Sequence, residues 1–524
     1  MQHLGREAPS LADITGQHRR RPDLPLHAKD VPALDPSALL RLSRSSPHAS
    51  SSLSRALRWL DDDALYAALG RRIPPRPRAA RPSSLTATDE EVMWTIGRYQ
   101  ALEELLVSGL SNVFAVAEPA KHRRRHILEP LLNDVLFGAD LGDVILPGPD
   151  DVRRGLKKYA LQFDAAAFYD QFPLSPGVSA FFSFRSRSSP TGFARFSRLP
   201  MGFRPSCFVA QETMLALADL GVEGVTALVY IDNVLFTADD EDLLLRAGAL
   251  FRSRCLACGV TLNDPHLSLA SLVVPVQEFL GVEYDLAART CRCTEKTMEK
   301  LRAARLALTK PLSLRSLAAV FGLLFWCQQI VPLRLAPFFA ALAAFRHLPL
   351  EAQSPARWNA RAPLLSAEAF SQLRSWIDAC LARPSRPLVE PAVPAPEYRI
   401  WVDASAFGWG ALVERTADSS VLRVGRPWSE EDRATYNVAS SVVAEPLGFR
   451  RAVLAVCSGN TRSIEVHTDH QPLMFAWVAG RGRVAAYNDC VAAVQSALPQ
   501  LHVDVQFVRG VDNIHADDIS RGRG

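Results

Sequence analysis

The strongest constraint on the fold is the segment of residues 227–236, which reads Ala-Leu-Val-Tyr-Ile-Asp-Asn-Val-Leu-Phe. Two apolar runs flank a short polar break, and this pattern predicts a β-hairpin with Asp232 at its tip. A carboxylate held between apolar strands needs a cation or a hydrogen-bonding partner, because an unpaired buried charge is costly. Upstream, Asp164 ends a second apolar run, residues 161–164. We therefore expect two strand-borne aspartates to meet at bound cations.

Length and composition are those of a large intracellular protein. The chain has 524 residues, 48% of them hydrophobic, which allows about three or four domains with sizeable cores. No apolar run reaches the ~18 residues that a membrane span requires, and the polar, arginine-rich N-terminus does not resemble a signal peptide. Nine scattered cysteines fit reduced thiols. We expect a protein of the nucleus or cytoplasm that is neither secreted nor in a membrane.

Composition and periodicity divide the chain into five segments. In chain order they are predicted to be a flexible basic arm rich in Ser, Pro and Arg, an alternating α/β region, a helical region, a Pro-rich linker and a compact α/β region: residues 1–85, 86–290, 291–383, 384–397 and 398–524. One short helix is predicted within the arm, at residues 53–69. Arginine clusters favour a phosphate-backbone partner and a solvated surface about equally, so charge alone leaves both open.

Four further motifs accompany the two aspartates. Residues 164–174 read Asp-Ala-Ala-Ala-Phe-Tyr-Asp-Gln-Phe-Pro-Leu, and residues 199–211 read Leu-Pro-Met-Gly-Phe-Arg-Pro-Ser-Cys-Phe-Val-Ala-Gln. Residues 121–133 form a basic stretch within a predicted hairpin, and residues 278–284 predict another hairpin around Gly281. Arginine suits phosphate binding because its planar fork grips two oxygens, but spacing leaves open which arginine of the stretch points inward.

A second set of acids lies in the last quarter of the chain. Asp403 lies on an apolar strand, Glu445 on a helix, Asp469 at the end of a strand and Asp517 at the start of the last helical turn. Any one of them alone is more often a helix cap or a surface group. Four converging carboxylates, however, can bind two divalent cations and activate a water against a phosphodiester.

In their order along the chain these motifs resemble the reverse transcriptase–RNase H region of a retrotransposon, of the gypsy-like or DIRS-like (tyrosine-recombinase) kind, over roughly residues 90–524. The resemblance implies an α+β multidomain fold, in which a right-hand polymerase with fingers, ferredoxin-like palm and helical thumb or connection precedes an α/β RNase H-like domain. It implies an RNA-directed DNA polymerase that also degrades the RNA of RNA–DNA hybrids. The implied partners are an RNA template, a DNA primer, the hybrid and dNTPs, with two Mg²⁺ ions per active site and Mn²⁺ as the alternative.

The resemblance also implies a role for each motif residue. The implied metal ligands of the polymerase site are Asp164, Asp232 and the backbone carbonyl of Ala165. The implied substrate-binding residues are Lys121 and Arg125 for the triphosphate, and Tyr169, Gly202 and Gln211 for the nucleotide pocket. The implied metal ligands and catalytic acids for RNA hydrolysis are Asp403, Glu445, Asp469 and Asp517.

One departure from the family pattern bears on activity. The family usually carries a second aspartate directly after Asp232, where this chain has Asn233. An amide supplies an oxygen but no charge, so attraction to the metals falls while the bridge of two carboxylates survives. We expect a polymerase that is weakened or prefers Mn²⁺. The alternative is a domesticated or decayed nucleic-acid-binding protein that has lost polymerase activity through Asn233, with or without RNase H activity.

Overall fold

The computed structural model describes residues 22–43, 50–69, 85–118, 121–136, 141–309, 311–351, 357–362 and 365–523. They form two compact units. Unit 1 comprises the described residues up to Ala303 together with Ser385–Val389, and unit 2 comprises the described residues of Ala304–Pro384 and Glu390–Gly524.

Unit 1 is a mixture of short sheets and helices. Its strands are β1 (Leu26–His27), β2 (Tyr99–Ala101), β3 (Ser111–Glu118), β4 (Arg123–Pro130), β5 (Tyr159–Asp164), β6 (Ser183–Arg185), β7 (Phe193–Phe196), β8 (Thr226–Tyr230), β9 (Asn233–Ala238), β10 (Val276–Phe279), β11 (Val282–Asp285), β12 (Thr290–Cys293) and β13 (Arg386–Pro387). Its helices are α1 (Pro36–Ser43), α2 (Ser50–Leu57), α3 (Asp62–Leu69), α4 (Ala87–Thr95), α5 (Leu132–Val135), α6 (Pro149–Gly155), α7 (Pro176–Ala180), α8 (Ser206–Ala218), α9 (Glu241–Ala257), α10 (Leu269–Leu272) and α11 (Glu295–Ala307), the last of which continues into unit 2.

The antiparallel sheet β5-β9-β8 carries the two predicted aspartates. Its apolar side chains pack on α9, where the ring of Phe251 lies 4.9 Å from that of Phe163 and 5.1 Å from that of Phe236. The helix starts where Asp240 accepts a hydrogen bond from the Leu243 amide (2.7 Å), which satisfies one of the amides left without a partner in the first turn. This packing holds the strand ends, and so the acids, in place.

Unit 1 contains three further sheets. Their strand orders are β1-β4-β3, β2-β7-β6 and β10-β11-β12-β13. The hairpins predicted around residues 121–133 and 278–284 are confirmed as β3–β4 and β10–β11. The second hairpin turns through Leu280 and Gly281, whose φ angles of +51° and +75° favour glycine at one of the two positions.

The prediction of a flexible arm is wrong for residues 22–43 and 50–69. Leu39 and Leu53 are fully buried in the core of unit 1, and the helix predicted over 53–69 is divided between α2, a 3₁₀ turn and α3. Apolar residues recur at helical spacing inside this Ser- and Arg-rich stretch, and their burial outweighs the composition. The rest of the predicted arm, at 1–21, 44–49 and 70–84, lies outside the described residues.

The predicted linker is also partly structured. Strand β13 pairs with β12, and the buried guanidinium of Arg153 donates to the carbonyl of Leu388 (3.0 Å). Arg386 donates to the carboxylate of Asp150 (3.1 Å). Residues 385–389 therefore belong to the fold of unit 1, because β13 pairs with a strand edge, Arg153 binds the segment, and Arg386 within the segment binds Asp150.

Unit 2 begins with helices and ends in an α/β region. Its remaining helices are α12 (Leu314–Ile330), α13 (Phe339–Glu351), α14 (Ala367–Leu381), α15 (Glu430–Thr435), α16 (Ser441–Val456), α17 (Gln471–Val478), α18 (Ala485–Ala497) and α19 (Ile514–Ser520). Its strands are β14 (Tyr398–Ala404), β15 (Gly408–Arg415), β16 (Val421–Pro427), β17 (Ser463–Thr468) and β18 (His502–Phe507). Among the described helices of both units, none has the length and apolar character needed to cross a membrane.

The sheet of unit 2 has the strand order β16-β15-β14-β17-β18. The first three strands are antiparallel, whereas β14, β17 and β18 run parallel to one another. The helices α16 and α19 pack on β14 and β15. Since β14 is central and β17 lies beside it, residues at the ends of these two strands meet at one edge of the sheet.

Candidate active sites

Asp232 lies in the two-residue turn between β8 and β9, as predicted. The preceding residue, Ile231, has φ +56°, a backbone conformation that is costly for a β-branched side chain. Gln211 on α8 holds the turn: its Oε1 accepts from the Ile231 amide (2.7 Å), and its Nε2 donates to the carbonyl of Val229 (3.1 Å).

Gln211 was predicted to bind substrate, and the structure corrects this prediction. Its side chain is 1% exposed, and both polar atoms of its amide are bound to backbone. A buried and fully used amide cannot reach a nucleotide. Gln211 instead positions Asp232 by fixing the strained turn.

The two predicted aspartates lie side by side. Asp164 pairs in register with Asn233 across β5 and β9, and the amide of Ala165 donates to the carbonyl oxygen of Asp232 (2.8 Å). Partial burial raises the pKa of both acids, and the charge of Asp232 raises that of Asp164 further. A divalent cation relieves this kind of crowding, and carboxylates are oxygen ligands that Mg²⁺ accepts. The two carboxylates are therefore suited to bind a divalent cation. Ligation by the backbone carbonyl of Ala165 stays a prediction.

Asn233 contributes a hydrogen-bond donor beside the pair. Its Nδ2 donates to Oδ1 of Asp232 (3.1 Å), and its Oδ1 accepts from Nε2 of Gln162 (3.4 Å). The donation lowers the pKa of Asp232 and opposes the effect of burial. Where a second aspartate would add a third negative charge, this chain has an amide that donates a hydrogen bond to Asp232 and orients its carboxylate.

The three consecutive arginines of β4 differ in role. Arg124 is buried and forms a two-pronged ion pair with Asp89, with distances of 2.6 and 2.8 Å. Burial would raise the pKa of Asp89, but hydrogen bonds from Arg124 and Thr86 hold it below its usual value. Arg123 donates to Glu118 (2.6 Å) across the hairpin. Neither Arg123 nor Arg124 is among the predicted triphosphate ligands.

The two predicted triphosphate ligands, Lys121 and Arg125, lie close enough to Asp232 to act on its charge. Lys121 is exposed, and Arg125 pairs with Glu118 (2.7 Å) and approaches the sulfur of Met201 (3.7 Å). The positive charges of both residues lower the pKa of Asp232 against the effect of burial. Two cations beside a metal-binding pair are suited to a bound triphosphate, and this role remains a prediction.

Tyr169 and Gly202 lie in the same region of unit 1. Tyr169 follows β5 in a 3₁₀ turn, is half-buried, and has its hydroxyl 3.4 Å from the sulfur of Cys207. Gly202 packs so closely on β4 that a Cβ would overlap the carbonyl oxygen of Leu128, and its own carbonyl accepts from Asn133 (2.8 Å). The close approach of two backbones explains the glycine without a nucleotide. Its predicted contact with substrate stays a prediction.

Two residues beside Asp164 were not singled out from the sequence. Asn263 donates from its Nδ2 to Oδ2 of Asp164 (2.7 Å), and Lys29 donates to Oδ1 of Asn263 (2.7 Å). Lys29 is the only lysine before Lys121 in a chain whose basic residues are mostly arginine. That isolation is the one signal in the sequence that could have drawn attention to it.

Three of the four predicted acids of unit 2 converge. Asp403 at the end of β14, Glu445 in α16 and Asp469 just after β17 each offer a carboxylate oxygen within 4.8 Å of the others. Asp403 and Glu445 are buried. Burial together with the charges of its two neighbours raises the pKa of Glu445 to about 9. A cluster of oxygen ligands under such repulsion fits a hard divalent cation.

The fourth acid, Asp517, lies beside the cluster and is ion-paired. Its Oδ1 accepts from the guanidinium of Arg521, one helical turn later, at 2.7 Å. Its charge nevertheless contributes to the raised pKa values of Asp403, Glu445 and Asp469. Ser520 in the same helix donates to Asp403 (2.6 Å). Helix α19 therefore supports the cluster by hydrogen bonding, and direct metal ligation by Asp517 stays a prediction.

One family model matches the part of the chain that contains the first of these sites. Residues 97–284 match the family model described as Reverse transcriptase (RNA-dependent DNA polymerase). This part of unit 1 is a reverse transcriptase domain, with mixed α/β content. It contains Asp164, Asp232 and the basic hairpin β3–β4, whereas the acidic cluster of unit 2 lies outside the matched residues.

Similar solved structures come from foamy virus. The chain is similar to foamy viral protease-reverse transcriptase in complex with dsDNA, with a TM-score of 0.46 and 14% identity over 83% of this chain and 86% of that chain. A complex of the foamy viral protein with an RNA/DNA hybrid gives a TM-score of 0.46 and 14% identity over 83% of this chain and 55% of that chain. No curated protein matches the sequence.

Proposed function

We propose that the chain is the reverse transcriptase of a gypsy-like or DIRS-like retrotransposon, which copies element RNA into DNA and degrades the RNA of the hybrid. The observation that carries the proposal is the pair Asp164 and Asp232, side by side at two strand ends within the matched reverse transcriptase domain. Its substrates would be an RNA template, a DNA primer and dNTPs, and it would act in the nucleus or cytoplasm.

In the polymerase site the protein supplies position and charge. Asp164 and Asp232, with the carbonyl of Ala165, would hold two Mg²⁺ ions, which when bound stabilise the charge on the attacking and leaving oxygens. Lys121 and Arg125 would bind the triphosphate, because phosphate oxygens favour cationic donors. Catalysis of phosphoryl transfer consists almost entirely of positioning the reactants in line and stabilising their charge.

The nucleotide pocket would be formed on the other side by Tyr169. The pKa of its hydroxyl is raised by burial, by Cys207 and by the charge of Asp232. A fixed aromatic ring beneath the sugar would exclude a 2′-hydroxyl and so favour dNTPs over ribonucleotides. Exchange of Tyr169 for a smaller residue tests this by the ratio of dNTP to rNTP incorporation.

In unit 2 the acids would cleave RNA. Asp403, Glu445 and Asp469 would hold Mg²⁺, which when bound lowers the pKa of a water that attacks the phosphodiester. Asp517 would contribute negative charge at the edge of the site. The support is the convergence of three carboxylates at one edge of the sheet, on the elements where the sequence predicted them.

A pair of single substitutions tests the two activities in one chain. Asp232→Ala should abolish primer extension on RNA and leave hybrid RNA cleavage intact, whereas Asp469→Asn should do the reverse. Since loss of even an outer-shell partner of a metal ligand costs about 10–100-fold, a direct ligand should cost more than about 100-fold. If either substitution removed both activities from a folded chain, the assignment of two independent sites would be wrong.

Asn233 favours a second candidate function, a nucleic-acid-binding protein that no longer polymerises, with or without RNase H activity. The residue stands where the family usually has an acid. This candidate predicts a native chain that binds primer–template but extends it with neither Mg²⁺ nor Mn²⁺, and that gains extension as Asn233→Asp. Extension by the native chain excludes it.

A further inference from the structure

We propose that Lys29 is a positioning residue of the polymerase site, acting on Asp164 through Asn263. The inference rests on the proposed polymerase function. It assigns a role in catalysis to the segment that precedes α1, which the sequence placed in a flexible arm.

The contacts form a chain of three side chains. The ammonium of Lys29 donates to Oδ1 of Asn263 (2.7 Å), and Nδ2 of Asn263 donates to Oδ2 of Asp164 (2.7 Å). An ammonium has only donors, so Oδ1 of Asn263 must face Lys29 and Nδ2 must face the carboxylate. The backbone amide of Asn263 also donates to the carbonyl of Asp164 (2.8 Å). Lys29 thus fixes the amide that orients the carboxylate.

Two buried arginines hold the segment around Lys29 in place. Arg98, 1% exposed, donates to the carbonyls of Lys29 (3.2 Å) and Val31 (3.0 Å). Arg124 donates through its Nε to the carbonyl of Leu24 (2.6 Å), and β1 pairs with β4 directly beside it. Loss of either contact would leave a buried guanidinium donor without an acceptor, so these backbone contacts are costly to lose. Hydrogen bonds from buried side chains therefore fix the backbone on both sides of Lys29.

The charge of Lys29 also acts on Asp164. Burial raises the pKa of Asp164, and the positive charges of Lys29 and Lys121 oppose this rise. Lys29 itself is exposed. An exposed lysine can extend its ammonium freely into water, so its contact with Asn263 needs a reason. Orientation of Asp164 supplies such a reason.

Primer extension on an RNA template tests the proposal. Lys29→Met keeps the aliphatic stem and removes the donor, and should lower kcat about tenfold, the loss of about 1.4 kcal/mol of transition-state stabilisation. Lys29→Arg should restore kcat to within about threefold of native, because it keeps a cationic donor. Arg41→Met is the matched control: Arg41 is a cation of the following helix α1 that pairs with the exposed Asp35 (3.4 Å), and its loss should leave kcat unchanged.

A double-mutant cycle tests whether the effect passes through Asn263. If it does, Lys29→Met combined with Asn263→Ala should be no slower than Asn263→Ala alone, whereas additive losses would overturn the relay. Hydrogen exchange of residues 260–264 gives a readout besides activity, and should be faster in Lys29→Met than in native chain or Arg41→Met. Unchanged exchange would overturn the proposal even if the native chain did not extend primer, an outcome that would by itself refute the proposed polymerase function.

Discussion

Replacement of Asn233 by aspartate changes the polymerase site in two ways that the structure separates. It removes the amide that donates to Oδ1 of Asp232 (3.1 Å), and it places a third carboxylate beside Asp164 and Asp232. Both changes raise the free energy of the metal-free folded protein. We therefore expect Asn233→Asp to destabilise unit 1 without metal and to make its stability depend more strongly on Mg²⁺.

The size of this destabilisation follows from the lost hydrogen bond and the added charge repulsion. A hydrogen bond to a charged group contributes about 1.5–3 kcal/mol, and two like charges about 4 Å apart repel by about 4 kcal/mol at an effective dielectric constant of 20. Relief of the repulsion by proton uptake near pH 8 would itself cost about 5–6 kcal/mol for a carboxyl of ordinary pKa. It therefore does not lower the sum of the two contributions, and the cost should be at most about 6–7 kcal/mol. The added carboxylate would have a folded-state pKa above its unfolded value, so the repulsive part of the cost should be absent below about pH 4 and grow as the pH rises.

Hydrogen exchange at residues 226–238 measures this cost locally, which matters because a chain of two units need not unfold in one step. In EDTA near pH 8, exchange should be faster in Asn233→Asp than in the native chain, and excess Mg²⁺ should narrow the difference because only the folded site binds metal. Asn263→Asp would not serve as a control, since Asn263 also bonds Asp164. Asn112→Asp would, because Asn112 also donates to a carboxylate, that of Glu129 (3.3 Å), but in the separate hairpin β3–β4. Equal exchange of native and Asn233→Asp chains in EDTA would refute the reasoning.

Three further predictions test the supports of the sites. Gln211→Leu should lower the free energy of unfolding of unit 1 by about 1–3 kcal/mol in urea titrations, because the Ile231 amide loses its buried acceptor. Gly202→Ala should cost about 1–3 kcal/mol in the same assay, since its Cβ meets backbone, whereas Gly148→Ala, with 3.6 Å of clearance, should cost far less. Glu445 has a folded pKa raised to about 9, so metal-free unit 2 should lose stability as the pH rises from about 4 to 9. Over that range its Mg²⁺ affinity, measured by calorimetry, should increase, and Glu445→Gln should flatten the stability profile.

Local patterns in the sequence were enough to predict the parts of the sites that lie on single elements. The hairpin bearing Asp232 follows from two apolar runs around a polar break, and the positions of Asp403, Glu445 and Asp469 follow from their strands and helix. Periods of two and 3.6 residues report which face of an element is buried, so acids at the ends of apolar strands can be recognised.

The supports of those residues could not be predicted, because they come from distant parts of the chain. Lys29 and Asn263 are 234 positions apart, and only the folded structure brings them together. Gln211 was assigned to substrate because spacing does not reveal that its amide turns toward the strands. The ion pair of Asp517 with Arg521 is the exception: acidic and basic residues four apart in a predicted helix were a usable signal.

The central claim is that this chain polymerises DNA on RNA with only two carboxylates at the hairpin site. The most direct test is extension of a labelled DNA primer on a defined RNA template by the native chain, with Mg²⁺ and then with Mn²⁺, beside Asp232→Ala. The account predicts dNTP-dependent extension by the native chain with at least one of the metals and none by Asp232→Ala. A folded native chain that binds primer–template but does not extend it with either metal would contradict the account.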